Sequence, residues 1–193
     1  MRSRALLLLT ALVVAASIAS PAHAGGNANF VLGGRSMTSS SDWEPFDSQA
    51  LAGVTVDFGP AKWPINFETG IQASAKTMGG YGLYGEDVTA SVGEVFFGIN
   101  KTWNASGGRM HPYVGGGVAS VTAKFEDSNV SVDDTSAGYY VHGGIFWRLG
   151  HRFNIGFDIR LLGGTKMAFV GIEGDSNYSQ ASLVLGWGWP RSQ

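Results

Sequence analysis

The chain has 193 residues, a formal net charge of −2 from 13 basic and 15 acidic side chains, and no cysteine. Without cysteine there is neither a disulfide framework nor a lipoprotein anchor, and no stretch reaches the roughly 18 uninterrupted apolar residues of a membrane-spanning helix. Glycine, at 29 residues, is about twice its usual share near 7%, while charged residues are only 15% and aromatics reach 12%, a balance that weighs against an ordinary soluble domain.

The front of the chain reads as an export signal. Arg2 and Arg4 precede an apolar run over residues 5–16, and Pro21-Ala22-His23-Ala24 carries an A-x-A cleavage pattern. The expected organisation is a signal peptide over 1–24, cleaved after Ala24, and one domain over 25–193.

Eight segments then alternate apolar and polar residues with period 2, the strand signature: 29–37, 50–58, 65–76, 88–102, 110–125, 137–149, 153–165 and 178–189. The last one is the clearest, with Leu183, Leu185, Trp187 and Trp189 on one face and Ser182, Val184, Gly186 and Gly188 on the other. Most are at least nine residues long, enough for a tilted strand to cross a bilayer. The connections 59–63 with Pro64, 103–109 and 150–152 are short; 38–49, 77–87, 126–136 and 166–177 are longer, and the two kinds alternate strictly. This is the pattern of an all-β, eight-stranded antiparallel up-and-down transmembrane barrel with short periplasmic turns and longer extracellular loops.

Sorted on this frame, the charges separate. The long loops hold Asp42, Glu44, Asp47, Glu86, Asp87, Glu126, Asp127, Asp133, Asp134, Glu173 and Asp175, with Lys166 as the one base. The short-turn end holds Lys62, Lys101, Arg109, Arg152 and Arg191 and no acid. On the third, sixth and seventh strands the charged positions oppose the apolar stripe. A charge facing lipid near the midplane costs about 2–4 kcal/mol, so Arg35, Asp57, Glu68, Lys76, Glu94, Lys124, Arg148, Asp158 and Arg160 are expected to form an ion network inside the lumen. Eight strands enclose a space that side chains can fill, so no wide aqueous channel is expected. An aromatic girdle, with Trp63, Trp147, Trp187 and Trp189 and also Phe30, Phe58, Phe67, Phe97, Tyr113 and Phe153, is expected at the short-turn end, and Phe125, Tyr139 and Tyr178 at the other.

The motifs that could carry chemistry are weak. Gly80-Tyr-Gly-Leu-Tyr-Gly85 matches G-x-G-x-x-G but is followed by another strand rather than a helix, which leaves a loop. Glycines within strands, such as Gly115-Gly116-Gly117, are expected to admit curvature and large inward neighbours. His111, His142 and His151 show no metal-ligand spacing. His142 is expected as a hydrogen-bonded lumen residue beside Asp158 or Arg160; a triad of His142, Asp158 and Ser120 has no evident substrate route. The acidic stretch 126–134 lacks the spacing of a calcium loop. No catalytic residue, cofactor or metal ligand is assigned.

Pro112-Tyr-Val-Gly-Gly-Gly-Val118, the hairpin residues Phe153-Asn-Ile-Gly-Phe-Asp-Ile159 and the aromatic-rich last strand make the mature chain resemble the small eight-stranded outer-membrane barrels of the OmpA transmembrane domain and OmpX type. That resemblance implies recognition of the last strand by the barrel-assembly machinery, although here Pro190-Arg-Ser-Gln193 follows Trp189. The outline is also similar to the lipid A deacylase barrels, but their His-x-Ser pair is absent from the corresponding stretch Ile159-Arg-Leu-Leu-Gly-Gly-Thr165. The expected protein is a non-enzymatic, monomeric outer-membrane barrel with a structural or surface-interaction role. Its partners would be outer-membrane lipid and lipopolysaccharide, with no nucleic acid. A lipid-modifying enzyme and a narrow porin-like channel are the alternatives.

Overall fold

Period-2 patterning gives every strand two unlike faces, and a sheet of such strands leaves unpaired edges unless it closes. In a computed structural model of the protein, which describes residues 24–39, 43–60, 63–80, 85–127, 131–150, 152–169 and 172–189, the sheet closes. The barrel consists of β1 (Ala24–Met37), β2 (Ser48–Pro60), β3 (Asn66–Met78), β4 (Val88–Thr102), β5 (Met110–Glu126), β6 (Ser131–Leu149), β7 (Phe153–Gly163) and β10 (Tyr178–Trp189). Each is antiparallel to its chain neighbour, and β1 seals the seam against β10 from Gly26↔Trp189 to Met37↔Tyr178. Two short strands, β8 (Met167–Phe169) and β9 (Ile172–Gly174), form a separate hairpin within the last long connection. The expected signal segment lies outside the described residues apart from Ala24, as do Asp42, Lys62, His151 and Arg191.

The eight segments all form strands, and the largest differences in extent are at two starts. β1 starts at Ala24 rather than 29, and β6 starts at Ser131 rather than 137. The third long connection is therefore mostly strand: β5 and β6 run on as a ladder to Glu126↔Ser131. A tall wall of β4, β5 and β6 results.

That wall explains where the apolar belt ends. Phe30, Leu32, Ile71, Phe97, Val118, Val141, Phe157, Ile159, Leu161 and Trp187 stand exposed on the outside of the barrel. In β5 the pattern inverts above Val118. Ala119, Val121 and Ala123 are buried inward, while Ser120, Lys124 and Glu126 point outward with Thr122. Thr122 and Thr135 share a hydroxyl hydrogen bond of 2.9 Å on this outer face. A polar outer face belongs above a lipid belt, not within it.

The apolar inner face of the tall wall needs a partner, and the first long loop supplies it. Trp43 and Phe46 turn back into the barrel mouth and are buried with Met37, Val92, Val121 and Met167. Their rings lie 5.1 and 6.1 Å from that of Phe125. The Trp43 Nε1 proton is donated to the Asp175 carbonyl at 2.8 Å, and Lys76 Nζ holds the Pro45 carbonyl at 2.6 Å. The loop end of the lumen thus carries an apolar plug.

Candidate functional site

The site is the lumen beneath that plug, and its middle layer is built around Glu94 on β4. Glu94 accepts from Arg35 Nη2 of β1 at 3.0 Å, from Arg160 Nη2 of β7 and from the hydroxyl of Tyr178 on β10. Arg35 Nη2 also reaches Gln180 Oε1 at 3.1 Å and Gln72 Oε1 at 3.4 Å. The guanidinium planes are covered by rings: Arg35 by Tyr178 at 3.8 Å, Arg160 by Tyr140 at 3.7 Å and by Phe96 at 4.0 Å. These contacts offset the desolvation of two buried cations. Arg35 Nε and Nη1 and Arg160 Nε have no acceptor among the described residues.

A second cluster lies closer to the short turns. Glu68 accepts from Tyr140 Oη at 2.6 Å and Asn100 Nδ2 at 2.8 Å, and Asp158 accepts from Tyr113 Oη at 2.8 Å. His142 lies between the two carboxylates, with Nδ1 2.9 Å from Asp158 and Nε2 3.0 Å from Glu68. Only the imidazolium form donates from both nitrogens. With His142 in that form, three cations (Arg35, Arg160, His142) match three carboxylates (Glu94, Glu68, Asp158). A cavity of about 50 Å³ remains beside this cluster. Below it a polar vestibule opens at the short-turn end, bordered by Asn27, Asp57, Asn66, His111 and Arg148. Asp57 accepts from Asn27 Nδ2 at 3.1 Å.

Of the nine residues expected in the network, Arg35, Glu68, Glu94, Asp158 and Arg160 form its two clusters, and Asp57 borders the vestibule. Lys76 points inward but meets a loop carbonyl. Arg148 stands exposed on the vestibule rim. Lys124 is a correction: it faces outward and pairs with Glu126, both partly exposed, because β5 turns its apolar face inward at this height. Ser120 is likewise exposed on the outer face, so it does not join His142 and Asp158.

The girdle needs similar sorting. Trp63, Trp147 and Trp187 are exposed at the short-turn end, and Trp189 is half-buried at the seam. Rings run from Trp63 to Phe67 (5.8 Å) and from Phe67 to Phe97 (6.1 Å). Tyr113, Tyr178 and Phe125 are corrections: all three point inward, the tyrosines onto carboxylates and Phe125 onto the plug. Tyr139 alone of the expected loop-end girdle is outward. Tyr113, Tyr178, Trp43 and Phe46 are the parts of the site the sequence reading missed. Strand parity was a usable signal for the tyrosines, and two large rings within a polar loop were one for the plug.

Closed eight-stranded antiparallel architecture with an apolar outside and a charged inside is the fold of the small outer-membrane barrels. No family model and no curated protein matches the sequence. Among solved structures the chain is similar to Neisserial surface protein A, with a TM-score of 0.59 and 10% identity over 86% of this chain and 97% of that one. It is also similar to the attachment invasion locus protein Ail of Yersinia pestis, solved with the heparin analogue sucrose octasulfate (0.54, 8%, 86% and 98%). The N-terminal β-barrel domain of Pseudomonas aeruginosa OprF is a third (0.50, 10%, 84% and 97%). At these identities the likeness is one of fold.

Proposed function

We propose that the chain is a monomeric, non-catalytic outer-membrane protein whose barrel is a sealed scaffold presenting an acidic surface to the outside. The observation that carries this reading is Glu94, buried between two guanidiniums with no exposed side-chain surface. A lumen closed by paired ions, with an apolar plug above it, suits a structural or interacting protein better than a conduit. The missing His-x-Ser pair argues against lipid A deacylation. The external loops carry many acids and one base, so their partner is cationic or bridged by cations, as lipopolysaccharide is by divalent ions. The last strand, Tyr178–Trp189, is the segment offered to the barrel-assembly machinery.

The test is electrical and electrophoretic. Folded protein is expected to migrate anomalously without heating and to leave planar bilayers silent. Steady unitary conductance from wild-type protein would overturn the sealed-scaffold reading in favour of a narrow channel.

A further inference from the structure

The vestibule at the short-turn end is a pocket with two unlike walls. Its volume is about 480 Å³, within the range of about 300–1,000 Å³ typical of small-molecule sites, which form readily in barrel mouths. Asp57 and Phe146 border both the vestibule and the small cavity above it, so the two are continuous. The ion-paired clusters close the upper end. The pocket is therefore blind and suits retention rather than passage.

One wall is basic. Arg148 follows Phe146 by two residues on β6, on the face opposite Trp147 and Leu149, and borders the vestibule with it. The Arg148 guanidinium pairs with no carboxylate among the described residues. The Phe146 ring stacks on His111 at 4.8 Å, and His111 Nε2 lies 2.9 Å from the Gly108 carbonyl. The Arg148 amide donates to the Arg109 carbonyl at 3.0 Å, which ties this strand to the β4–β5 turn.

The other wall is acidic. Asp57 stands on β2, four strands from β6 in either direction round the closed sheet, and so diametrically opposite Arg148. A chain of carboxamides orients it: Asn154 Nδ2 donates to Asn27 Oδ1 at 2.8 Å, and Asn27 Nδ2 donates to Asp57 at 3.1 Å. The bond from Asn27 uses only part of a carboxylate's roughly four acceptor sites. Asn154, the ladder neighbour of Arg148, keeps its Oδ1 buried with no partner among the described residues. A buried acceptor in that state calls for a donor from water or a ligand.

A cation and a carboxylate held apart across a polar pocket select a ligand that carries both charges, one at each end. A simple anion would face Asp57 as well as Arg148, and a simple cation the reverse. A single amino acid bears its ammonium and carboxylate on one carbon, whereas each further residue adds about 3.5 Å of reach. Opposite walls therefore fit a dipeptide better. We propose that the vestibule binds a dipeptide-sized zwitterion, with Arg148 on its carboxylate and Asp57 on its ammonium group. The site lies at the end of the barrel away from the acidic loops and goes beyond the scaffold reading.

The test uses the full folded chain in non-ionic detergent and an NMR titration with alanylalanine and its blocked forms. Wild type is expected to bind alanylalanine saturably, and acetylating the amine or amidating the carboxyl group should each weaken binding about tenfold. R148Q should lose about tenfold and then be indifferent to amidation, while D57N should lose about tenfold and be indifferent to acetylation. K101Q, changed beside the Trp103 ring and outside the vestibule, should bind as wild type does. Heat-modifiable migration checks that each variant is folded. The blocked dipeptides need no variant, so wild type alone decides the outcome if one fails to fold. Absence of saturable binding by wild type, or equal binding of free and blocked dipeptides, overturns the proposal. So does unchanged binding by folded R148Q or folded D57N. Displacement of alanylalanine by equimolar maltose or inorganic phosphate would mean a site for neutral sugars or simple anions and would also overturn it.

Discussion

Arg35 and Glu94 meet at 3.0 Å across the lumen, from strands that are not neighbours in the barrel, and neither side chain has any exposed surface. The same carboxylate also takes Arg160 and Tyr178. Removing its charge leaves two buried guanidiniums opposed by an amide. Loss of one partner of a buried pair costs about 3–5 kcal/mol. Glu94→Gln is therefore expected to lower the urea midpoint of the folded barrel in lipid vesicles by that equivalent. A midpoint within error of wild type would show that Glu94 is not the centre of the layer.

Parity made much of the lumen network legible. Glu68, Asp158 and Arg160 oppose clear apolar stripes on β3 and β7, so alternation alone turns them inward. Lys124 was not legible in that way. Its strand has Ala119, Val121 and Ala123 on one face and Ser120, Thr122 and Glu126 on the other. Assigning the apolar face to the outside assumes that lipid is present at that height. The assumption fails because Trp43 and Phe46, from a distant loop, supply an apolar partner inside. His142 was legible as a lumen residue beside Asp158, but the second carboxylate on its other nitrogen depends on register across three strands, which pattern does not give.

Lys124 provides a direct contrast with the buried bases. Its bond to Glu126 is exposed at both ends, and exposed pairs of this kind contribute about 0–1 kcal/mol. Lys124→Ala is expected to leave the unfolding midpoint within about 0.5 kcal/mol of wild type. Arg160→Ala, by the same assay, should cost several times more. Equal effects would restore Lys124 to the lumen.

The plug should matter to stability out of proportion to its place in a loop. Trp43 is only 3% exposed and is held by the Asp175 carbonyl as well as by Phe125. Truncating a buried aromatic typically costs about 3–5 kcal/mol. Trp43→Ala is expected at the lower end of that range, with a gain of water-soluble quencher access to the lumen in vesicles. A loop that merely rests on the barrel would show neither change.

Acidic loops exposed to water repel one another unless cations intervene. Several of the acids already have partners: Asp134 Oδ2 accepts from the Ala168 amide at 2.8 Å, Asp175 Oδ2 from Ser39 Oγ at 2.8 Å, and Glu126 from Lys124 Nζ. The net negative charge of these loops carries the expectation that chelating magnesium and calcium lowers the thermal midpoint of folded protein in lipopolysaccharide-containing vesicles. The effect should be smaller in vesicles without lipopolysaccharide. No change in either would remove divalent bridging as a basis for surface attachment.

Gly115 tests the packing of the second cluster. A Cβ at this inward position would lie 2.4 Å from His142 Nε2 and 2.9 Å from the Ile99 carbonyl oxygen. His142 has no freedom to retreat, since its two nitrogens are fixed by Glu68 and Asp158. Gly115→Ala is therefore expected to cost about 1–3 kcal/mol as an overpacked site. At Gly93, where a Cβ meets nothing within 4 Å, the same change should stay within about 0.5 kcal/mol. The source of the strain can be isolated with a double-mutant cycle. If the imidazole is the obstacle, Gly115→Ala should cost less in a His142→Ala background, with a coupling of about 0.5–3 kcal/mol. Simple addition of the two costs would mean that β4, through the Ile99 carbonyl and the Asn100 Cβ at 2.9 Å, and not the bridged imidazole, is what requires glycine at 115.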